Sequence, residues 1–274
     1  MLNKLSKLQV QRIIKNIKIK GFHVQRQLIK KKIVIKLLKK VISEHKILNF
    51  KTSKYKGLRK RDSKDLRLYN LPNIDKIFID LISQKEIEKI LITFLNDPYY
   101  RFLNKEKPNY ILSGFNARSS GYKLDLHIDS YIPFVGERTN SVLILFVLED
   151  MNEKNGATIV VPGSHQSGTY TNRSLKKFEI VNAKQGDVLI MDGRTWHGTT
   201  ENNSGKSRWL INGLFTPWWI KQQINFPNSL GDKIYNKLNQ KQKLLMGYCS
   251  IPSSDQFERI NVKCGYEILK KFKK

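Results

Sequence analysis

Apolar residues recur at near-helical spacing over positions 1–20, at Leu2, Leu5, Leu8, Ile13, Ile14 and Ile17, with Lys and Arg between them. The pattern predicts a basic amphipathic helix laid on a sheet. Such a helix can also lie on a membrane or serve as a transit peptide, but transit peptides are rich in Arg and Ser, and this segment is rich in Lys. Gly21 and Phe22 open a short extended piece, 22–28. A second helix is predicted over 29–46, on Ile33, Leu37, Leu38 and Ile42. Residues 47–70 are polar and basic (Lys54, Lys56, Arg59, Lys60, Arg61) and predict loop. A third helix is predicted over 74–96, where Ile77, Phe78, Leu81, Ile82, Ile87, Ile90, Leu91 and Phe94 are apolar.

From about residue 108 the period changes. Short β-branched and aromatic runs at 109–116, 123–129, 141–148, 157–161, 177–182, 187–192 and 207–215 alternate with turn pairs: Asn155-Gly156, Pro162-Gly163, Gln185-Gly186, Asp192-Gly193 and Ser204-Gly205. This spacing predicts an antiparallel sandwich or barrel. After Pro217 the chain reads as polar, helical or irregular. The expected organisation is an N-terminal helical region (1–107) packing on the core, a β-core (108–220) and a C-terminal tail (221–274), all one catalytic domain.

Composition narrows the class. The chain has 274 residues, is 40% apolar, and is long enough to bury a core. No run of apolar residues is long enough to span a bilayer, and no secretory h-region opens the chain. Cys249 and Cys264 fit neither a disulfide framework nor a zinc knuckle, so a cytoplasmic location is expected. A formal net charge of +27 raises nucleic acid as a partner. The excess is mostly lysine spread along the chain, beside many Ile and Asn, and no recognition motif accompanies it. Nucleic acid is therefore not the expected partner.

The candidate chemistry lies among five histidines: His23, His45, His127, His165 and His197. His127 and Asp129 are two apart, and in a strand positions i and i+2 share a face. A second histidine from another strand would complete two histidines and one carboxylate, the facial set of non-haem Fe(II) oxygenases. His197 follows the strand 187–192 across the turn Gly193-Arg194-Thr195. Arg208 lies eleven residues later, beyond the polar stretch 199–205. If 196–199 and 206–212 pair as a hairpin centred near Asn202 and Asn203, His197 and Arg208 stand opposite each other and project into one cavity. A guanidinium there suits a carboxylate of a keto acid.

The chain here resembles the phytanoyl-CoA dioxygenase family of Fe(II)- and 2-oxoglutarate-dependent oxygenases, from about Gly21 to near Leu269. The resemblance is carried by Leu126-His127-Ile128-Asp129 and Glu149-Asp150. Further on it runs through Asn155-Gly156-Ala157-Thr158-Ile159-Val160-Val161-Pro162-Gly163-Ser164-His165, Gly186-Asp187-Val188-Leu189, Trp196-His197-Gly198 and Ser207-Arg208. It implies a mainly β fold with flanking helices, a double-stranded β-helix of distorted jelly-roll, cupin-like form. His127, Asp129 and His197 would ligate Fe(II), and Arg208 would pair with the distal carboxylate of the co-substrate 2-oxoglutarate. Asn116, on the strand before His127, is the candidate for a further co-substrate contact. His165 is expected to be a structural loop histidine and no fourth ligand. Two departures concern the pocket: Ile128 stands where members often have Gln, and Leu145 where some have Trp.

The expected activity is hydroxylation of a small organic substrate with O2, releasing succinate and CO2. The carboxylate of Asp129 argues against halogenation, because related halogenases have a small residue there. Two alternatives are a non-catalytic β-barrel binding module, and a basic nucleic-acid-associated oxygenase using Trp218 and Trp219 as stacking groups.

Overall fold

The computed structural model describes residues 1–52, 64–99, 107–130, 132–171, 177–252 and 256–257, with the backbone alone over 49–52. The basic residues singled out between 54 and 61 lie outside the described residues, as does Cys264. The N-terminal part contains α1 (Lys7–Lys20), β1 (Phe22–Gln25), α2 (Lys31–Thr52), β2 (Asp65–Leu68), α3 (Leu71–Ile74), α4 (Lys76–Ile82) and α5 (Lys85–Leu95). The middle holds β3 (Tyr110–Ser120), β4 (Leu124–His127), β5 (Val142–Val147), β6 (Thr158–Val160), a 3-10 turn (Ser164–Gln166), β7 (Glu179–Val181), β8 (Val188–Asp192), β9 (His197–Thr199) and β10 (Leu210–Pro217). Three short helices follow: α6 (Phe226–Ser229), α7 (Asp232–Tyr235) and α8 (Gln240–Leu245).

The strands form two antiparallel sheets. The larger has the order β1-β8-β5-β10-β3-β2 and the smaller the order β4-β9-β6-β7. The period of two in each strand builds two cores. Val142, Ile144 and Phe146 of β5 and Val188 and Ile190 of β8 join the helices in one apolar cluster. The alternate residues Leu143, Leu145, Leu189 and Met191 face the other way, into a second cluster with Val160 and Val181 of the smaller sheet. The result is a jelly roll with helices on the outer face of its larger sheet, the mainly β fold expected.

α1 lies on that face as the periodicity predicts, burying Ile13 and Ile17 against the sheet. Ser6 caps it with a capping box, and Gly21, at φ +85°, ends it by returning its N–H to the Ile17 carbonyl.

Several expectations are corrected. The segment 74–96 is not one helix, because Asp75 is extended and turns its carboxylate to the Ile77 N–H as a new N-cap, and Gln84 is extended before α5. The segment 47–70 holds the end of α2 and all of β2. The N-terminal 107 residues also do more than pack on the core: β1 and β2 form both edges of the larger sheet. Among the described residues no helix is long and apolar enough to cross a membrane.

The turn between β8 and β9 is pinned by a buried ion pair. Arg194 is 1% exposed; its Nε and Nη2 donate to Asp192 Oδ1 and Oδ2 at 3.0 and 2.7 Å. Its Nη1 donates to the carbonyls of Phe134 and Gly136, at 3.1 and 2.9 Å, and the guanidinium lies 4.6 Å over the Phe134 ring. Thr139 donates to Asp192 as well. Removing one partner strands a buried charge, so Asp192→Ala should lower stability by about 3–5 kcal/mol in urea unfolding. A loss under about 1 kcal/mol would show that the pair holds nothing.

Candidate metal centre

The pairing of β4 with β9 sets His127 directly opposite His197. Their ring centroids are 4.4 Å apart. Gly198 permits this approach: a Cβ there would collide with the Leu124 carbonyl oxygen of β4. Each imidazole is oriented by its own chain, because Nδ1 lies against a backbone carbonyl two residues earlier. The partners are Asp125 at 2.8 Å for His127 and Thr195 at 2.9 Å for His197. A proton on each Nδ1 makes that contact a hydrogen bond and leaves both Nε2 atoms as free donors of a lone pair. Burial pushes the His197 pKa below its ordinary value, and His127 adds to this against the pull of Asp129, which favours the neutral ligand form.

Asp129 does not continue the strand, contrary to the period-two reading. β4 ends at His127 after an irregularity, and the Asp129 and Ser130 N–H groups both donate to the Gly193 carbonyl at 2.9 Å. That turn, not strand geometry, brings the carboxylate in: Oδ1 is 3.9 Å from His127 Nε2 and Oδ2 is 3.7 Å from His197 Nε2. Atoms bound about 2.1 Å from one ion lie within roughly 4.2 Å of each other. Among the described residues, His127, Asp129 and His197 are the group able to hold a metal. His165 is outside it. Its Nε2 contacts the Lys18 carbonyl at 3.0 Å, tying the 3-10 turn to α1. Ser164 beside it accepts the Trp196 N–H and so holds the residue before His197.

The expected hairpin between His197 and Arg208 does not form. β9 pairs with β4 and β6, whereas β10 pairs with β3 and β5 on the other sheet. The two side chains nevertheless line the same cavity, of about 200 Å3, because the two sheets face each other. The inner wall follows the pleat: Gly114, Asn116, Arg118 and Ser120 from β3, Arg208, Leu210, Asn212 and Leu214 along β10, and Leu143 and Leu145 from β5. Asn116 stands directly opposite Asn212, which donates to it at 3.4 Å. Arg118 and Asn212 were missed in the sequence, although counting by twos from Asn116 and from Arg208 reaches both.

Arg208 is 3% exposed. Among the described residues its Nε has no hydrogen-bond partner, and its Nη1 meets only the Met151 sulfur, at 4.0 Å. Burial, with the Arg118 guanidinium nearby, pushes its pKa down to about 10, which still leaves it cationic at neutral pH.

A jelly roll with two histidines and a carboxylate facing an arginine inside it defines the architecture of non-haem oxygenases. The phytanoyl-CoA dioxygenase (PhyH) profile matches residues 23–209, and the chain belongs to that family. The site fits the Fe(II) and 2-oxoglutarate that the family uses. Two curated relatives, uncharacterized proteins of Mycobacterium tuberculosis and Mycobacterium bovis, are each 36% identical over 115 residues, 40% of this chain and 41% of theirs. Among solved structures, HygX from Streptomyces hygroscopicus, with nickel and 2-oxoglutarate bound, is similar with a TM-score of 0.58 at 17% identity, over 80% of this chain and 90% of that one. The non-heme alpha-ketoglutarate-dependent epimerase SnoN from nogalamycin biosynthesis has a TM-score of 0.59 at 13% identity, over 83% and 91%. Both likenesses concern the fold.

If Gly198 sets the approach of the two imidazoles, Gly198→Ala should drive β4 from β9. Co(II) titration of the apoprotein should then show affinity at least about tenfold weaker. Unchanged affinity in a folded variant would refute the role of that contact.

Proposed function

We propose that the chain is an Fe(II)- and 2-oxoglutarate-dependent dioxygenase that hydroxylates a small organic substrate in the cytoplasm, its three sequence regions acting as one catalytic unit. The observation that carries this reading is Arg208. A buried guanidinium with an unpaired Nε is costly unless an anion joins it, and it lines the cavity into which the His–Asp–His group projects. A dicarboxylic keto acid satisfies both ends of the cavity, with one carboxylate on Arg208 and its keto-acid end on the metal.

In this reading His127, Asp129 and His197 would hold Fe(II). Arg208 orients 2-oxoglutarate by pairing with its distal carboxylate. Asn116 contributes a further amide contact to the co-substrate. Iron and 2-oxoglutarate, when bound, supply the oxidant: with O2, decarboxylation to succinate and CO2 accompanies insertion of one oxygen atom into a substrate C–H bond.

The donor set argues against a non-catalytic binding module, which has no need of three converging metal ligands. A nucleic-acid-associated oxygenase is weakened because Trp218 packs on the core and donates its Nε1–H to Asp97, leaving Trp219 as the exposed indole of the pair.

Asp129→Ala should abolish 2-oxoglutarate-dependent succinate release in a screen of small hydroxylatable compounds; full turnover would sink the ligand assignment. Arg208→Ala should raise the KM for 2-oxoglutarate by about thirtyfold or more, the equivalent of roughly 2 kcal/mol. An unchanged KM would remove the co-substrate from that end of the cavity.

A further inference from the structure

We propose that the outward face of α1 docks on an anionic lipid surface. The helix buries Ile13 and Ile17, yet Leu8 is 77% exposed and Ile19 60% exposed. Leu8, Arg12, Lys15 and Ile19 recur at i, i+4, i+7 and i+11, which is one stripe of a 3.6-residue helix. All four are exposed, opposite the buried pair. The stripe thus presents two aliphatic side chains with two cations between them, and Lys4, Lys7, Lys18 and Lys20 are exposed around it. No acidic residue occurs before Glu44.

The mixture selects the occupant. A nucleic acid would use the cations, but it gains nothing from Leu8 and Ile19, and α1 offers no aromatic side chain for a base to stack on. A bilayer interface uses both kinds of group: aliphatic side chains enter the headgroup and acyl boundary while Lys and Arg meet anionic lipid. The helix is already folded, capped at both ends and fixed to the sheet, so docking requires no ordering of the chain.

Hydrogen bonds link α1 to the loop after the metal group. The last turn of α1 is bound to the 3-10 turn, through Gly163 N–H to the Lys20 carbonyl at 2.9 Å and His165 to the Lys18 carbonyl at 3.0 Å. That turn exchanges two hydrogen bonds of 3.1 Å between Gln166 and Gly136. The loop of Gly136 exposes Ile132 and Val135, a few residues beyond Asp129. Docking through α1 would therefore hold the membrane two hydrogen-bonded links from this apolar loop, which follows the metal group in the chain.

The test is flotation of the full chain with phosphatidylcholine vesicles, with and without phosphatidylglycerol. The expected result is partition onto the phosphatidylglycerol vesicles alone, weakened by salt. Leu8→Ser/Ile19→Ser should lower that partition by about tenfold or more and leave retention on heparin unchanged, because heparin reads charge and not apolar contact. Arg12→Glu/Lys15→Glu should lower both. All four positions are exposed, and matched thermal unfolding confirms the fold of each variant. Failure of the native chain to float, equal binding to neutral vesicles, or undiminished binding by Leu8→Ser/Ile19→Ser would overturn the proposal. Retention by an acidic protein without vesicle binding would do the same. None of these positions lines the metal cavity, so vesicle-free succinate release should be unaffected, and the proposal stands or falls apart from the enzymatic reading.

Discussion

The metal group depends on a salt bridge that touches none of its members. Asp192 and Arg194 close the turn between β8 and β9 in a geometry buried on all sides. The residue between them, Gly193, offers the carbonyl that receives the N–H groups of Asp129 and Ser130, and three residues past Arg194 comes His197. One turn thus sets the position of the carboxylate and the start of the strand that carries the second imidazole. Arg194 reaches further, to the carbonyls of Phe134 and Gly136, so the loop after Asp129 is fixed by the same cation. The site is rigid because its two arms are fastened to one point, a preorganisation on which metal geometry relies.

Among the described residues two arginines are buried, in contrasting ways. Arg194 has its donors matched to a carboxylate and two carbonyls, and its burial is explained by the fold alone. Arg208 has an unmatched Nε, no oxygen at Nη1 and a second guanidinium nearby. Glu149 is near in charge but turns its oxygens to Ser207 and to the Trp209 N–H. A fold that satisfies one buried guanidinium so fully leaves another incomplete inside a cavity, which is the contrast on which the proposed co-substrate role of Arg208 rests. Burial by itself therefore does not separate the two cations; the unmatched donors do.

Much of this was legible in the sequence, and what was missed follows from the limits of local pattern. The strands of the β-core announce themselves by alternation and by Gly-containing turns, and His127, Asp129, His197 and Arg208 stand out as rare chemistry at strand ends. The geometry assigned to them was wrong twice. Asp129 joins His127 through a backbone bond to Gly193, not by continuing its strand. Arg208 meets the cavity from the opposite sheet, not across a hairpin with His197. A local period cannot tell a two-strand hairpin from a crossover between sheets, because both leave a polar stretch of similar length between the two residues. The extended piece at 22–28 is β1, but its place at the sheet edge was hidden, and β2 was missed altogether, for a related reason. Each is four residues long, and its pairing partner lies far along the chain, in β8 or β3. The break at Asp75 was visible as an Asx cap inside an otherwise helical period, a signal that the apolar spacing alone overrides.

The cavity also constrains what it can hold, apart from any metal. Its wall mixes the two kinds of side chain. β3 presents Asn116, Arg118 and Ser120, β10 presents Asn212 between Leu210 and Leu214, and β5 presents Leu143 and Leu145. The Asn212 Oδ1 is buried and unpartnered. An alkyl chain laid over the amide side would keep that oxygen from water without offering a donor, at a penalty of about 1–3 kcal/mol. A molecule carrying hydroxyl or amino groups on one flank and carbon on the other meets no such penalty. Such a molecule would lay its hydrogen-bonding edge along Asn116, Arg118 and Asn212 and its carbon skeleton against Leu143 and Leu145 of β5 and Leu210 and Leu214 of β10.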